Sequence, residues 1–214
     1  FLLPVYIFLF LFYKTLILNF LFEVFDEKNS KQVSDILKET KSAVQSYMIG
    51  LLIETLIIAT LNSIALSLLG VKYAILLGVI GALLNLIPYI GGVIAIALPV
   101  LIATVTSDGY HTQLGILIAY IIIQFVDNNI IIPRIVSSKV QINALISIIT
   151  VLLGSALWGV AGMFLSIPFI AILKIIFDRI PELKAWGKLL GDTVPTRHIG
   201  EIWNKRKTRK AAAK

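Results

Sequence analysis

Long apolar stretches alternate with short polar ones along most of the chain. The apolar stretches cover residues 1–22, 44–69, 73–106, 112–132 and 142–180. A transmembrane helix needs about 20 consecutive apolar residues at ~1.5 Å rise per residue, and each stretch reaches that length. Runs such as AILLGVIGALLNLI are continuously apolar, whereas the strands of a membrane barrel would alternate apolar and polar residues. The pattern predicts an all-α, polytopic helical membrane protein.

Two of these stretches are interrupted and too long for one span. Residues 73–106 and 142–180 are each predicted to form a helical hairpin. The helix between them is predicted to break after DNN, because proline lacks the N–H that a continuing helix needs. Two interrupted hairpins flanking a broken helix are typical of a transporter binding site. The predicted hinge and break residues are Gly91, Gly92, Pro133, Gly159, Gly162 and Pro168.

Polar segments divide the chain further. We predict a transmembrane helix over 1–22, a cytoplasmic amphipathic linker helix over 23–43, a transmembrane transport core over 44–180 and a basic cytoplasmic tail over 181–214. The linker has apolar residues at helical spacing, which predicts a helix running into the span at 44. Lys and Arg concentrate in the loops placed on the tail's side, as the positive-inside rule requires.

Composition and charge narrow the function. Apolar residues make up 58% of the chain and charged residues 14%, against roughly 45–50% and 25% in soluble proteins. The net charge is +7, and the tail alone, with nine basic and three acidic residues, carries +6. We interpret the tail as lying beside anionic lipid heads, because it has no base-stacking module for nucleic acid.

Several chemistries lack the residues they require. The chain contains no cysteine, and its two histidines are far apart, so the sequence predicts neither a metal centre nor a cofactor. No G-x-x-x-x-G-K-[ST] loop for ATP is present. No Ser-His, Ser-Lys or paired-Asp arrangement suggests a catalytic site. We therefore predict a protein that is not an enzyme, and whose uphill transport would use a sodium or proton gradient.

Asp127 is the sharpest candidate for function. An ionised carboxylate costs about 3 kcal/mol at mid-membrane on insertion scales, so it is expected to face protein, water or a cation. Gln124 lies three residues earlier, and Tyr120, Gln124 and Asn128 form a polar seam at i, i+4 and i+8. Asn129 completes the group. The alternative is an interfacial cap that simply ends the helix among lipid heads.

A second group of candidates lies in GALLNLIPYIGG. Pro88 disfavours helix at the residue before it, and the glycines permit positive φ, so the break can expose Asn85 and free carbonyls to a ligand. A tight turn with Tyr89 as an interface anchor is the alternative. Glu54 lies about ten residues into its span, where it could handle a proton or sodium or pair with a neighbouring helix.

These residues make the chain resemble the autoinducer-2 exporter family of bacterial multi-pass permease-like proteins. The resemblance rests on LLGVKYAILLGVIGALLNLIPYIGG, IIIQFVDNNIIIPRIVSSKVQINAL and LLGSALWGVAGMFLSIPFIAILKIIFD, in the family's order. The motif positions are Asn85, Ile87, Pro88, Tyr89, Gly91, Asp127, Asn128, Pro133, Gly154, Gly159, Gly162 and Pro168. The resemblance implies the bacterial inner membrane, a homo-oligomer, and either export of small signalling molecules or sodium or lithium for proton antiport.

The chain also departs from the family. Members usually have further membrane helices and a soluble portion before the position of Phe1, so this sequence resembles the C-terminal part of a longer parent. Ser137, Ser138 and Lys139 stand where a glycine-lysine pair is frequent, and Asn143 stands where a histidine is common.

We expect a secondary transporter with Asp127 binding the coupling cation or proton, and a small molecule or cation as its substrate. The alternatives are a sodium or lithium for proton antiporter, a passive channel, and a non-transporting membrane scaffold whose basic tail recruits a partner. Deleting residues 197–214 would destroy the function of a scaffold and largely spare that of a transporter.

Overall fold

The computed structural model describes residues 2–25, 29–87, 91–107, 110–135 and 142–192. The helices in chain order are α1 (Leu2–Phe12), α2 (Lys14–Val24), α3 (Ser30–Leu68), α4 (Ala74–Asn85), α5 (Gly91–Thr106), α6 (His111–Val126), α7 (Ile132–Ile135), α8 (Ala144–Arg179) and α9 (Lys184–Leu190). A π turn (Asp127–Ile131) joins α6 to α7, and a 3-10 turn (Pro181–Leu183) precedes α9. No strand occurs in these ranges, so the predicted all-α class is confirmed.

Several helices are suited to the bilayer. Within the described residues α3 and the run from α6 through α7 are long and apolar enough to span it, as is α8 by its total length, although α8 changes direction at Trp158 and Gly159. Helices α1 and α2 would add a fourth span if they are counted together. The sequence predicts one helix over 1–22, but α1 and α2 meet at a bend of 58°. Lys14 begins α2 directly after the bend. A charge at mid-span costs about 3 kcal/mol, so a break at this residue is physically reasonable.

Helix α3 is much longer than a bilayer is thick. Its 39 residues extend about 58 Å, against about 30 Å of hydrocarbon, so its first half reaches beyond the apolar layer. That half contacts the end of α8, where Arg179 Nη2 lies 2.7 Å from Glu39 Oε2. Gln32 Nε2 also donates to the Arg179 carbonyl at 2.6 Å. The predicted linker helix and the following span are therefore one continuous helix.

The first hairpin consists of α4 and α5 and packs on α3. A Cβ at Gly78 would overlap Ser63 on α3, so glycine permits this close crossing. The sequence predicts a helix break at Gly91 and Gly92, where glycine would permit positive φ, but they are the first residues of α5 and neither has positive φ. A Cβ at Gly91 would instead overlap the carbonyl oxygen of Leu84, so glycine is required here for close contact between the two legs.

The second hairpin lies within α8. The helix reverses at Trp158 and Gly159, and Gly159 has φ +61°, a conformation that favours glycine. Its legs cross at Gly154 and Gly162, since a Cβ on Gly162 would overlap the Gly154 carbonyl. The predicted hairpin and its break at Gly159 are thus observed. The predicted break at Pro168 is wrong, because the second leg runs through this buried proline to Arg179. Packed neighbours make a proline tolerable inside a membrane helix.

Asn143 fastens the start of α8 to the end of α9. Its Oδ1 accepts a hydrogen bond from the Ile146 N–H at 3.0 Å and caps α8. Its Nδ2 donates to the carbonyls of Leu189 at 2.6 Å and Gly191 at 3.2 Å. The Asn143 N–H donates to Leu190 at 3.1 Å. One side chain and its own backbone therefore hold these two segments together.

The Gly162 crossing leads to a stability prediction. Gly162→Ala should lower the free energy of unfolding by about 1–3 kcal/mol, because a methyl group would be forced against backbone that cannot move aside. Thermal unfolding of the purified protein in detergent measures this. Gly191→Ala is the matched control, since its Cβ would lie 3.3 Å from the flexible Lys174 Cε. Equal melting temperatures for the two variants would contradict the proposed tight crossing.

Candidate functional site

Asp127 is a fully buried carboxylate, with an exposed fraction of 0%. Its Oδ2 accepts hydrogen bonds from Asn85 Nδ2 at 3.1 Å and from Gln124 Nε2 at 3.4 Å. Its Oδ1 is buried and has no hydrogen-bond partner among the described residues. A buried polar atom without a partner is costly in an apolar surrounding, so this oxygen is suited to receiving a cation or a proton.

The backbone around Asp127 is a π turn rather than a helix end. The Ile132 N–H donates to the carbonyl of Asp127, five residues earlier, which is the π pattern. The sequence predicts that Pro133 stops the helix, but Pro133 lies inside α7, which continues to Ile135. The extra residue in the π turn changes the hydrogen-bond register just before the proline. Single π turns of this kind often occur at functional sites.

A cavity of about 510 Å³ lies beside Asp127. Its walls come from α3, from both legs of the first hairpin, from α6 and from the π turn. Its polar lining residues are Glu54, Asn85, Gln124, Asp127 and Asn128, and its remaining lining residues are Ile87, Gly92, Val93, Ile96 and Ile132. The volume is in the roughly 300–1,000 Å³ range typical of small-molecule sites.

The structure brings together five predicted site residues and separates one. Glu54, Asn85, Gln124, Asp127 and Asn128 all line the cavity, and Gln124 Nε2 also donates to Asn128 Oδ1 at 3.4 Å. Asn129 is absent from the lining, and its Nδ2 donates to the Phe125 carbonyl at 2.8 Å instead. The Asn129 side chain is thus bonded to the backbone of its own helix, four residues earlier, and not to the cavity. Pro88 and Tyr89 lie outside the described residues.

Glu54 gives the site a second carboxylate from a different helix. It lies on α3 with an exposed fraction of 5%, while Asp127 follows α6. The sequence identifies Glu54 as a carboxylate that is costly to bury in a membrane. Its contact with the same cavity as Asp127 could not be predicted, because 73 positions separate the two residues. None of the described residues that line the cavity is basic. The site therefore offers acidic oxygens and neutral amides, a chemistry that favours cations, protons and polar neutral molecules.

Sequence reasoning missed part of the apolar wall. Val93 and Ile96 were not predicted, although with Gly92 they occupy positions i, i+1 and i+4 on α5. That spacing places them on one face of the helix. Ile132 was also missed, since its position depends on the π turn.

A multi-pass helical membrane protein with a polar cavity between an interrupted hairpin and a distorted helix has the features of the transporter and permease class. The AI-2E family transporter model matches residues 1–182. This chain belongs to that family, which consists of transporters and permeases rather than enzymes.

Individual relatives agree with the family assignment. The chain is 29% identical over 154 residues to YrrI of Bacillus subtilis, provisionally named a transport protein. This match covers 72% of the present chain and 43% of YrrI. It is 32% identical over 127 residues to the AI-2 transport protein TqsA of Escherichia coli. That match covers 59% of this chain and 37% of TqsA. A provisionally named transport protein of Haemophilus influenzae is 35% identical over 122 residues, covering 57% and 35%. The chain thus spans less than half the length of each relative.

The contact between Asn85 and Asp127 can be measured by a double-mutant cycle. Asn85→Ala and Asp127→Ala should be coupled by about 0.5–3 kcal/mol in unfolding free energy, because each side chain loses its partner when the other is removed. Thermal unfolding in detergent of both single variants and the double variant supplies the cycle. Asn143→Ala with Asp127→Ala is the control pair and should be additive, because Asn143 bonds residues 146, 189 and 191 and shares no partner with Asp127. Additivity at Asn85 as well would show that the contact is energetically unimportant.

Proposed function

We propose that this protein is part of a secondary transporter that moves a small polar solute across the bacterial inner membrane, coupled to a sodium ion or proton bound at Asp127. The observation that carries the proposal is the buried Asp127 Oδ1, which has no partner in the described residues and belongs to a cavity-lining side chain. Intramembrane carboxylates of this kind mark ion and substrate pathways.

The cavity suits both a cation and a solute. Its two carboxylates and three amides offer acidic and neutral oxygens, and Gln124 and Asn85 add N–H donors. A volume of about 510 Å³ exceeds what a dehydrated ion needs and accommodates a small molecule. Because TqsA is named for AI-2 transport, we propose an autoinducer-2-like signalling solute as the cargo.

A sodium or lithium for proton antiporter is the second candidate. The observation that favours it is the pairing of Glu54 with Asp127 at one cavity, since two carboxylates can exchange protons for a metal cation without an organic cargo. In this function the transported ion would itself be the substrate. The two candidates differ in whether autoinducer-2 moves.

We also propose that the C-terminus and the first half of α3 face the cytoplasm. The charged contacts Arg179 with Glu39 and Lys174 with Asp178 gather at one end of the bundle. That end also carries Lys31, Lys38 and Lys41 on α3, in agreement with the positive-inside rule.

Asp127→Asn tests the leading proposal in proteoliposomes with imposed sodium and proton gradients. Gradient-driven autoinducer-2 flux should fall to the level of empty vesicles, because the neutral amide cannot bind a cation or release a proton. Asp35→Asn, which changes a carboxylate on α3 that does not line the cavity, should transport like the wild type.

Three other outcomes decide between the alternatives. Full autoinducer-2 flux in Asp127→Asn would overturn the coupling role of this residue. Sodium and proton exchange without autoinducer-2 flux in the wild type would select the antiporter. Flux that is independent of both gradients would select a passive channel.

A further inference from the structure

A second polar cluster lies outside the cavity lining, in the core between α3, α4 and α6. Asn62 and Tyr120 have exposed fractions of only 2% and 5%. Asn62 Oδ1 and Tyr120 Oη are both buried and have no hydrogen-bond partner among the described residues. Leaving such an atom unpaired costs on the order of 1–3 kcal/mol, so two of them side by side require a reason other than packing between helices.

The two side chains converge on a glycine. A Cβ built on Gly81 of α4 would lie 3.2 Å from Tyr120 Oη and 3.5 Å from Asn62 Nδ2. Both polar groups therefore approach the same bare stretch of helix backbone. Alanine at this position would crowd the Tyr120 hydroxyl and lie in van der Waals contact with the Asn62 amide, whereas glycine leaves both polar ends uncovered.

This cluster continues the cavity along three helices. Gly81 lies four residues before Asn85 on α4, and Tyr120 lies four residues before Gln124 on α6, so each pair shares a helix face. Asn62 lies eight residues after Glu54 on α3, again on one face. By helical rise the cluster is about 6 Å beyond the cavity along α4 and α6, and about 12 Å beyond Glu54 along α3.

One helical turn further from the cavity, the residues on the same faces of α3, α4 and α6 are apolar. Leu66, Leu77 and Ile116 lie four residues beyond Asn62, Gly81 and Tyr120 respectively, away from the cavity. All three belong to one buried hydrophobic cluster, which also includes Tyr120 and in which Leu66 and Ile116 are fully buried. The order along the bundle is therefore cavity, neutral polar layer and apolar layer.

We propose that Asn62, Tyr120 and the bare backbone at Gly81 form a second, neutral binding step on the translocation path, closed on its far side by Leu66, Leu77 and Ile116. This site would take an uncharged hydroxyl group, from water or from a polyhydroxylated solute. It has two unpartnered polar atoms and no carboxylate, so a cation would stay behind at Asp127. The inference rests on the proposed transport function and adds the route that the cargo follows.

Thiol labelling tests access to this site, and the chain contains no cysteine that would interfere. Asn62→Cys in membrane vesicles should react with a small hydrophilic methanethiosulfonate about tenfold or more faster than Val151→Cys, as expected when water reaches only one position. Val151 on α8 is the control, because its exposed fraction of 3% matches that of Asn62 and it lies outside both the cavity and the cluster.

The outcomes of the labelling are distinct. Equal rates at the two positions would overturn the proposal. Labelling of Asn62→Cys that autoinducer-2 slows identifies the bound hydroxyl as the solute's, whereas labelling that it leaves unchanged identifies a water-filled step. Should Asn62→Cys fail to assemble, Tyr120→Cys replaces it in the same comparison.

Tyr120→Phe tests the hydroxyl while keeping the ring and its packing. We expect autoinducer-2 flux to fall about tenfold, the change expected for one lost hydrogen bond of roughly 1.4 kcal/mol. Thermal stability should stay equal or rise, because an unpaired buried hydroxyl is removed. Unchanged flux would overturn the proposed role of Tyr120. If the wild type moves no solute at all, the transport proposal fails, while the labelling still decides whether a polar path exists.

Discussion

The burial of the Asp127 carboxylate is the constraint on which the rest of this structure depends. Away from water, such a group requires donors from neighbouring helices, and here Asn85 supplies one from the first hairpin while Gln124 supplies another from α6. Gly91 lets α5 pack closely against the backbone of α4, the helix that carries Asn85, and Asp127 is the first residue of the π turn. The first hairpin, α6 and the π turn therefore all contribute to the surroundings of this one carboxylate.

The amino-acid pattern predicted the elements of this fold better than their irregularities. Apolar length placed the spans and both hairpins, because the bilayer imposes that length directly on the chain. Proline was a poor guide: Pro133 and Pro168 both lie within continuing helices. A proline breaks an isolated helix, but packed neighbours and a shifted hydrogen-bond register accommodate it here, and neither is visible in local sequence.

The candidate site was predictable in its residue types and not in its assembly. Costly polar residues in apolar stretches identified Asp127, Asn85 and Glu54, because each must have a reason to be there. Which of them meet depends on how α3 crosses the first hairpin, and helix spacing alone does not reveal this. Asn129 is the opposite case. It adjoins the site in sequence, yet its side chain donates to the backbone of its own helix and does not line the cavity.

Asn143 has a consequence for how this protein responds to acid. Its side chain uses its oxygen to cap α8 and its nitrogen to hold the segment at residues 189–191. An imidazole at this position would gain a charge as the pH falls through its ordinary range. An amide stays neutral throughout. In this chain the contact between the second hairpin and residues 189–191 thus keeps the same hydrogen bonds on both sides of neutrality.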